Sequence, residues 1–260
     1  MNCKVCNAKT ANIFDATILA KYNIKYFQCQ NCGFLQTEQP YWLEEAYKNP
    51  INITDTGIMS RNLGLAQQAS TLIFFLFNKN SQFVDFAGGY GVFVRLMRDI
   101  GFDFYWYDPF TENLFARGFE YSTYLPNIEV LSCFECFEHF EEPLKEIHKL
   151  FSISRNIIFS TTLLPNPVPL PNEWGYYGVD HGQHLCFYTK TALKLIADMY
   201  GVNFYSSGTV HMFTPKQIPP PLFRMFIKAY RFGLFSFVKF VMKTRMYEDR
   251  DLLIQRHSHR

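Results

Sequence analysis

The sequence predicts an α/β domain with a mostly parallel sheet, an antiparallel last strand and a small metal-binding module in front of it. Two observations lead to this prediction. Helical and strand patterns alternate between residues 60 and 214, which is typical of strands joined by crossover helices. Two closely spaced cysteine pairs lie in the first part of the chain, where they indicate a metal site. We therefore expect three segments: 1–40, 41–214 and a helical extension over 215–260.

The first half of the α/β region contains a strand, a glycine-rich turn and a helix in direct succession. A helix is expected over 62–77 and ends at the polar run that follows. The apolar strand 82–86 leads into the turn, and the helix 92–100 stops at Gly101, a residue suited to the position after a helix end. A second strand follows over 102–107.

The second half continues the alternation and closes with a hairpin. Pro143 suits the first turn of a helix, Thr189 suits an N-cap, and Ser207-Gly208 suits a turn between two strands. The expected elements are strands 128–134, 156–161, 202–206 and 209–213, and helices 141–151 and 190–200.

The composition narrows the class of protein. Hydrophobic residues make up 48% of the chain and charged residues 18%, which indicates a folded domain with a substantial core. A formal net charge of only +2 argues against a nucleic-acid partner. The chain has neither an apolar leader nor a spanning stretch, so we expect a cytoplasmic protein whose seven cysteines are thiols or metal ligands.

The four N-terminal cysteines form the pattern Cys3-x-x-Cys6 and Cys29-x-x-Cys32, with 22 residues between the pairs. Each pair fits a tight turn that presents two thiolates on one side of the backbone. Two such turns give the tetrahedral sulfur set that Zn²⁺ prefers, so the pattern predicts a structural zinc. The spacing alone fits an Fe–S cluster as well.

The glycine-rich turn, with the sequence DFAGGYG over residues 85–91, predicts a nucleotide site. Glycines let the backbone approach a ligand, and the helix that follows offers free N–H groups. Asp108, 17 residues beyond Gly91, stands at the end of the next strand, where a carboxylate can bind both ribose hydroxyls. The GxGxxG spacing of dinucleotide-binding turns does not fit these residues.

Asp85-x-Ala87-x-Gly89-x-Gly91 resembles motif I of the class I S-adenosylmethionine (SAM) methyltransferases, with alanine at the first glycine. Residues 134–143, FECFEHFEEP, resemble the segment after the fourth strand of these enzymes. The resemblance implies a Rossmann-like sheet and a SAM site. The implied cofactor residues are Asp85, Ala87, Gly88, Gly89, Gly91, Asp108, Pro109, Phe134 and Glu135, with Arg61 on the methionine carboxylate; Glu138 and His139 are expected to be supporting residues at a helix start.

A second loop, WGYYGVDHGQH over residues 174–184, is the candidate acceptor site. It follows the fifth strand, at the edge of the sheet where ligands bind in open α/β folds. A methyl acceptor must lose a proton, and a histidine titrates near neutral pH, so His184 is the predicted base and His181 the second choice. Tyr177 or the preceding Tyr176 is expected to orient a hydroxyl-rich acceptor.

The cysteine module joined to this domain resembles the zinc-containing nucleotide-sugar C-methyltransferases. Their proposed base aligns with His184, while His181 and Gln183 stand where that family has tyrosine and glutamate, and the family's large C-terminal domain has no counterpart here. The resemblance implies a sugar, nucleotide-sugar or glycan acceptor, with O-methylation as good a choice as C-methylation. The alternatives are an RNA methyltransferase with an RNA-gripping zinc module and a non-catalytic SAM-binding scaffold.

The last segment is basic and aromatic. Lysines and arginines between residues 222 and 246 recur at intervals that would line one face of a helix. Such a helix suits the inner face of a membrane, and it equally suits packing on its own domain or on a second subunit. The sequence does not define an oligomeric state.

Overall fold

The computed structural model describes residues 1–48, 51, 53, 55–125 and 127–258. Its strands are β1 (Thr10–Ile18), β2 (Tyr22–Cys29), β3 (Leu35–Thr37), β4 (Gln82–Phe86), β5 (Asp103–Tyr107), β6 (Ile128–Cys133), β7 (Ile157–Ser160), β8 (Cys186–Phe187), β9 (Asn203–Ser207) and β10 (Val210–Thr214). Its helices are α1 (Leu43–Ala46), α2 (Ile58–Leu76), α3 (Val92–Ile100), α4 (Pro143–Ile153), α5 (Lys190–Met199), α6 (Pro220–Ala229), α7 (Leu234–Val241) and α8 (Met246–Ser258).

The central sheet has six strands in the order β5-β4-β6-β7-β10-β9. The first four are parallel, and β10 runs antiparallel to both of its neighbours. The predicted fold class is therefore confirmed. The antiparallel strand is the last in the chain but lies inside the sheet, between β7 and β9. The carboxyl ends of the four parallel strands meet at one edge, and the loops that follow them form the site.

The predicted elements of this sheet agree with the structure to within a few residues. β4 and α3 have the predicted bounds, whereas α2 begins four residues earlier than expected. The Thr189 side chain accepts a hydrogen bond from the Ala192 N–H at 3.0 Å, which confirms it as the N-cap of α5. Alternating apolar runs with clear stop signals explain this accuracy.

A second sheet, which the sequence did not predict, follows the order β1-β2-β3-β8. Its last strand comes from residues about 150 positions later in the chain, where Phe187 pairs with Leu35. Side chains of the first 46 residues and of the central domain also form one continuous buried core. The N-terminal module is thus completed by the domain that follows it.

The C-terminal segment is not the single helix expected over residues 222–246. Gly233, with φ 91°, separates α6 from α7, and Met242 takes an extended conformation that ends α7. The basic residues therefore do not share one helical face. α6 buries Phe223 and Phe226 in the core around α2 and β9. Within the described ranges, no helix is long and apolar enough to cross a membrane.

Helix α8 is held to α3 by a buried ion pair. Arg98 is 1% exposed and donates to both carboxylate oxygens of Asp249, at 2.8 and 2.7 Å. Arg95 donates to the same carboxylate at 2.8 Å. The Arg98 guanidinium also donates to Asp103 and packs over the ring of Phe119. Asp249 of α8 thus shares with Asp103 the counter-charge for an arginine in the interior.

Candidate active site

The four predicted metal-ligating cysteines converge at one end of the second sheet. The Sγ atoms of Cys3 and Cys32 are 3.6 Å apart, as are those of Cys6 and Cys32, and those of Cys6 and Cys29 are 3.4 Å apart. Tetrahedral Zn–S bonds of about 2.3 Å place sulfur atoms about 3.8 Å apart, so the group fits zinc. Backbone N–H groups in both turns approach the sulfur atoms at 3.4 Å, which favours thiolates.

The glycine-rich turn between β4 and α3 has three left-handed residues in alternation: Ala87 (φ 57°), Gly89 (φ 52°) and Gly91 (φ 84°). A Cβ at Gly91 would lie 2.7 Å from Asn113 Oδ1, so only glycine fits there. Ala87 holds a conformation that costs an alanine about 1 kcal/mol or more, which explains the glycine in the motif it resembles. No described atom lies within 4 Å of a Cβ built on Gly89, so this part of the turn is open to a ligand.

Two carboxylates, those of Asp85 and Asp108, lie against this turn and hold it in place. Asp85 is buried and accepts from Ser132 Oγ at 2.5 Å; burial raises the pKa of Asp85 to about 7. Asp108 Oδ2 accepts from the Gly89 N–H at 2.9 Å, and its Oδ1 accepts from the N–H groups of Phe110 and Thr111. Asp108, the residue predicted to bind the ribose, therefore also shapes the turn. Its Oδ2 accepts one hydrogen bond and keeps acceptor capacity, whereas its Oδ1 already accepts two.

The segment after β6 adds a third carboxylate. Glu135 is left-handed (φ 50°), and its Oε1 accepts from Ser160 Oγ at 2.6 Å. Arg61 donates to both oxygens of Asp55, at 2.9 and 2.7 Å, and lies 3.4 Å from Glu135 Oε2. Binding a methionine carboxylate would require Arg61 to exchange one of these partners. Phe134 packs edge-on against Phe93 behind the turn.

The acceptor loop reaches the same edge of the sheet through Tyr176. Its hydroxyl accepts from the Thr162 N–H at 3.0 Å and lies 3.1 Å from Thr161 Oγ1, directly after β7. Its carbonyl lies 2.6 Å from Nδ1 of His184. The end of β7 therefore connects the segment after β6 with the acceptor loop. Ser160 is hydrogen-bonded to Glu135 of the first, and Thr161 contacts the Tyr176 hydroxyl of the second.

His184 lies in a group of polar side chains near this connection. The centroid of its ring lies 4.9 Å from the ring centroid of His139 and 4.8 Å from that of His181. Burial lowers the pKa of His184 to about 4, so the imidazole is neutral at neutral pH. Burial and the nearby Glu135 carboxylate raise the pKa of Glu138, which lies in the same group, to about 8.

Two other predicted residues have structural partners. Tyr177 is 1% exposed, packs against Tyr26 and Phe187, and donates to the Pro169 carbonyl at 2.8 Å. His181 Nδ1 accepts from the Gln183 N–H at 3.1 Å, so neutral His181 carries its proton on Nε2. That tautomer suits a hydrogen-bond donor better than a base. Pro109 is exposed beside Asp108.

The sequence analysis missed two residues near the site and gave a third residue a different role. Trp106 donates to the Gly89 carbonyl at 2.8 Å and so locks the turn. Asn113 Oδ1 accepts from the Ala116 N–H beside Gly91. Glu138 was expected only to support a helix start, yet it lies with His139 and His184. The E-x-x-E-H spacing was the one signal that could have revealed this, because it places both glutamates after one strand.

A glycine-rich turn between a strand and a helix, followed by an acidic residue at the end of the next strand, is typical of nucleotide-binding α/β proteins. Comparison with protein families shows to which class of nucleotide-binding protein the chain belongs. The family described as "Methyltransferase domain" matches residues 60–207, more than half of the chain. The chain therefore belongs to this family, and it is a class I SAM-dependent methyltransferase. The sequence has no match among curated proteins.

Solved structures with a similar fold include several methyltransferases. The plantazolicin methyltransferase BpumL in complex with SAH is 12% identical, with a TM-score of 0.47, covering 75% of this chain and 89% of that one. Magnesium protoporphyrin IX methyltransferase from Synechocystis PCC 6803 with bound SAH is 12% identical (TM-score 0.44; 67% and 94% covered). OxaC in complex with sinefungin and meleagrin is 15% identical (TM-score 0.38); the match covers 52% of this chain and spans 42% of OxaC.

Proposed function

We propose that this enzyme transfers the methyl group of SAM to a hydroxyl of a sugar, nucleotide-sugar or glycan, with His184 as the base. The observation that supports this most is the short contact between His184 Nδ1 and the Tyr176 carbonyl. A carbonyl oxygen only accepts, so Nδ1 carries the hydrogen and Nε2 keeps a free lone pair. A neutral imidazole in this tautomer can take a proton at Nε2.

The chain's own residues divide the work between the two ends of the site. SAM supplies an electrophilic methyl group on a sulfonium ion. Asp108 and Glu135 place negative charge beside the turn that complements this cation and its ammonium group, whereas Asp85, with a pKa raised to about 7, is only partly ionised at neutral pH. His184 Nε2 takes the hydroxyl proton as the oxygen bonds to the methyl carbon and the carbon–sulfur bond breaks. Tyr176, rather than the buried Tyr177, is then the tyrosine that holds the base.

Replacing the base tests this proposal. We expect His184→Ala to lower kcat by about 10²–10⁴-fold, the usual contribution of a general base, while the SAM affinity stays the same. The assay is turnover of labelled SAM against nucleotide sugars and glycans, with SAM binding followed by calorimetry. His148→Ala, an exposed histidine on α4, is the matched control. Full turnover by His184→Ala would remove the base from the proposal.

The cofactor end has its own test. Asp108→Asn removes a charged acceptor from both the ribose hydroxyls and the Gly89 N–H, and hydrogen bonds to charged groups contribute about 1.5–3 kcal/mol each. We therefore expect SAM to bind about 10–100-fold more weakly. Glu112→Gln, an exposed neighbour, should leave the affinity unchanged. Equal SAM affinity of the two variants would show that Asp108 does not bind the cofactor.

Two further roles complete the proposal. We infer that Cys3, Cys6, Cys29 and Cys32 hold a structural zinc, supported by the convergence of their Sγ atoms. Four thiolates close the coordination sphere, so this metal has no place for a substrate. Contact of the C-terminal helices with the inner face of a membrane is a separate proposal. It is supported only by the exposed rings of Phe232 and Phe240, next to basic residues of the same segment.

A further inference from the structure

Glu138, His139 and His184 form a second cluster of side chains of metal-ligating types. Its ligand atoms are carboxylate oxygen and imidazole nitrogen, in contrast to the sulfur atoms of the four cysteines. One ligand atom from each of the three lies within 4.8 Å of the other two. We propose that this cluster binds a divalent transition-metal ion such as Mn²⁺, and that the ion holds the acceptor through its oxygen atoms. The inference rests on one part of the proposed function, methyl transfer to a hydroxyl. It replaces the other part, because His184 then serves as an ion ligand and not as the base.

Both histidines are held in the orientation that metal-binding histidines use. Nδ1 of His139 lies 3.1 Å from the Gln183 carbonyl, and Nδ1 of His184 lies 2.6 Å from the Tyr176 carbonyl. Because a carbonyl only accepts, each Nδ1 carries the hydrogen, and the Tyr47 hydroxyl, 3.0 Å from Nδ1 of His139, then accepts from it as well. Each Nε2 is left with a lone pair. A backbone carbonyl on the far nitrogen is the usual way in which a protein fixes a metal-ligating imidazole.

The carboxylate gives an independent indication of a ligand. Glu138 is 1% exposed, and its Oε2 has no partner at hydrogen-bond geometry among the described residues, although the Tyr176 and Thr161 hydroxyls lie close enough to lower the pKa of this carboxyl. A buried carboxylate oxygen without a partner is costly, so native structures rarely leave one unpaired. A cation between Oε2 and the two imidazoles would satisfy this oxygen.

The donor set defines the kind of ion and of acceptor. Two imidazoles and a carboxylate suit first-row divalent ions better than Ca²⁺ or Mg²⁺. At bond lengths of about 2.0–2.2 Å the three ligand atoms would lie about 3–4 Å apart, so a small inward movement of the side chains closes the site. Three protein ligands leave positions open for two acceptor oxygens. A vicinal diol, such as two neighbouring hydroxyls of a sugar, fits these positions.

The ion changes the role of His184 in the reaction. With an ion bound, the Nε2 lone pair holds the ion, and the acceptor hydroxyl loses its proton to a water molecule, because a metal ion lowers the pKa of a bound oxygen. The oxygen then bonds to the methyl carbon, and the carbon–sulfur electron pair stays on sulfur. The roles of proton acceptor and ion ligand exclude each other within one turnover, so an experiment can separate them.

The direct test measures Mn²⁺ binding to the full chain with its zinc already bound. Electron paramagnetic resonance of free Mn²⁺ should show about one ion bound per wild-type chain. Glu138→Gln and His139→Gln should each weaken binding about tenfold or more, while the exposed controls Glu142→Gln and His148→Gln should not. Unchanged zinc content and melting temperature would show that the variants are folded. Absence of Mn²⁺ binding by the wild type, or equal binding by all variants, would overturn the site.

Turnover separates this inference from the proposed function. We expect the wild type to methylate a vicinal diol acceptor about tenfold or more slowly after Mn²⁺ is removed, and to recover when it is restored. Full turnover without Mn²⁺ would overturn the role of the ion and leave His184 as the base. Mn²⁺ binding that depends on Glu138, but without methylation of any hydroxyl acceptor, would support the metal site and contradict the proposed function.

Discussion

Asp249→Asn is expected to destabilise the protein by about 3–5 kcal/mol, the usual effect of breaking a buried ion pair. The substitution keeps the size of the side chain but leaves the Arg98 guanidinium, which is 1% exposed, without its bidentate partner. At about 2–4 °C per kcal/mol for a chain of this size, the melting temperature should fall by about 10 °C. Thermal or urea unfolding followed by circular dichroism measures both values.

The exposed carboxylate two residues further along gives a matched control. Asp251 pairs with Arg250 on the surface, and Asp251→Asn should change stability by less than about 0.5 kcal/mol. Burial alone would raise the pKa of Asp249, but hydrogen bonds from Arg98 and Arg95 outweigh it and hold the pKa below its usual value. The stabilisation is therefore present at neutral pH and is lost as the pH falls below the usual carboxyl range. Equal stability of the two variants would exclude the ion pair as the anchor of α8.

Cys29→Ser is expected to remove the proposed zinc and to loosen the second sheet. Structural zinc sites contribute about 10 kcal/mol or more to small modules, so the loss of one thiolate should release zinc and lower the melting temperature strongly. Zinc content is measured by atomic emission, and stability by thermal unfolding. Cys133→Ala, a buried cysteine on β6 outside the cluster, should keep about one zinc per chain.

The same variant should lose methyl transfer before it loses the cofactor. β3 pairs with β8, which starts two residues after His184, and Thr189 Oγ1 donates to the Cys32 carbonyl at 2.6 Å. The glycine-rich turn that we propose binds SAM is attached to β4 and β5 instead. We expect Cys29→Ser to lower kcat much more than SAM affinity. A zinc-free variant with wild-type kcat would show that the cysteine module has no influence on the acceptor loop.

The central sheet could be predicted because each of its elements carries its own local signal. Gly101 and Thr189 mark helix ends, and apolar runs of strand length mark β4 and β6. The shape of the glycine-rich turn was predictable for the same reason, since its glycines, Asp85 and Asp108 lie within 25 residues of each other.

The remainder depends on pairings between distant residues, which no local pattern reveals. β8 is only two residues long and is a strand because Leu35 lies beside it. An arginine such as Arg98 is expected at the surface from its type alone. It is buried here because Asp249, about 150 residues later, pairs with it. Similarly, Glu138 and His139 join His184 only when the loop folds back and places that histidine against them.

The pairing of β3 with β8 has a consequence for synthesis on the ribosome. Residue 35 leaves the ribosome long before residue 187. The edge of β3 that later pairs with β8 therefore stays unpaired while the residues in between are synthesised. Unpaired strand edges of this kind favour aggregation. Metal captured by the first 32 residues would hold β1, β2 and β3 in register during that interval. Zinc supply during translation, rather than zinc added to the finished protein, would then set the yield of folded enzyme.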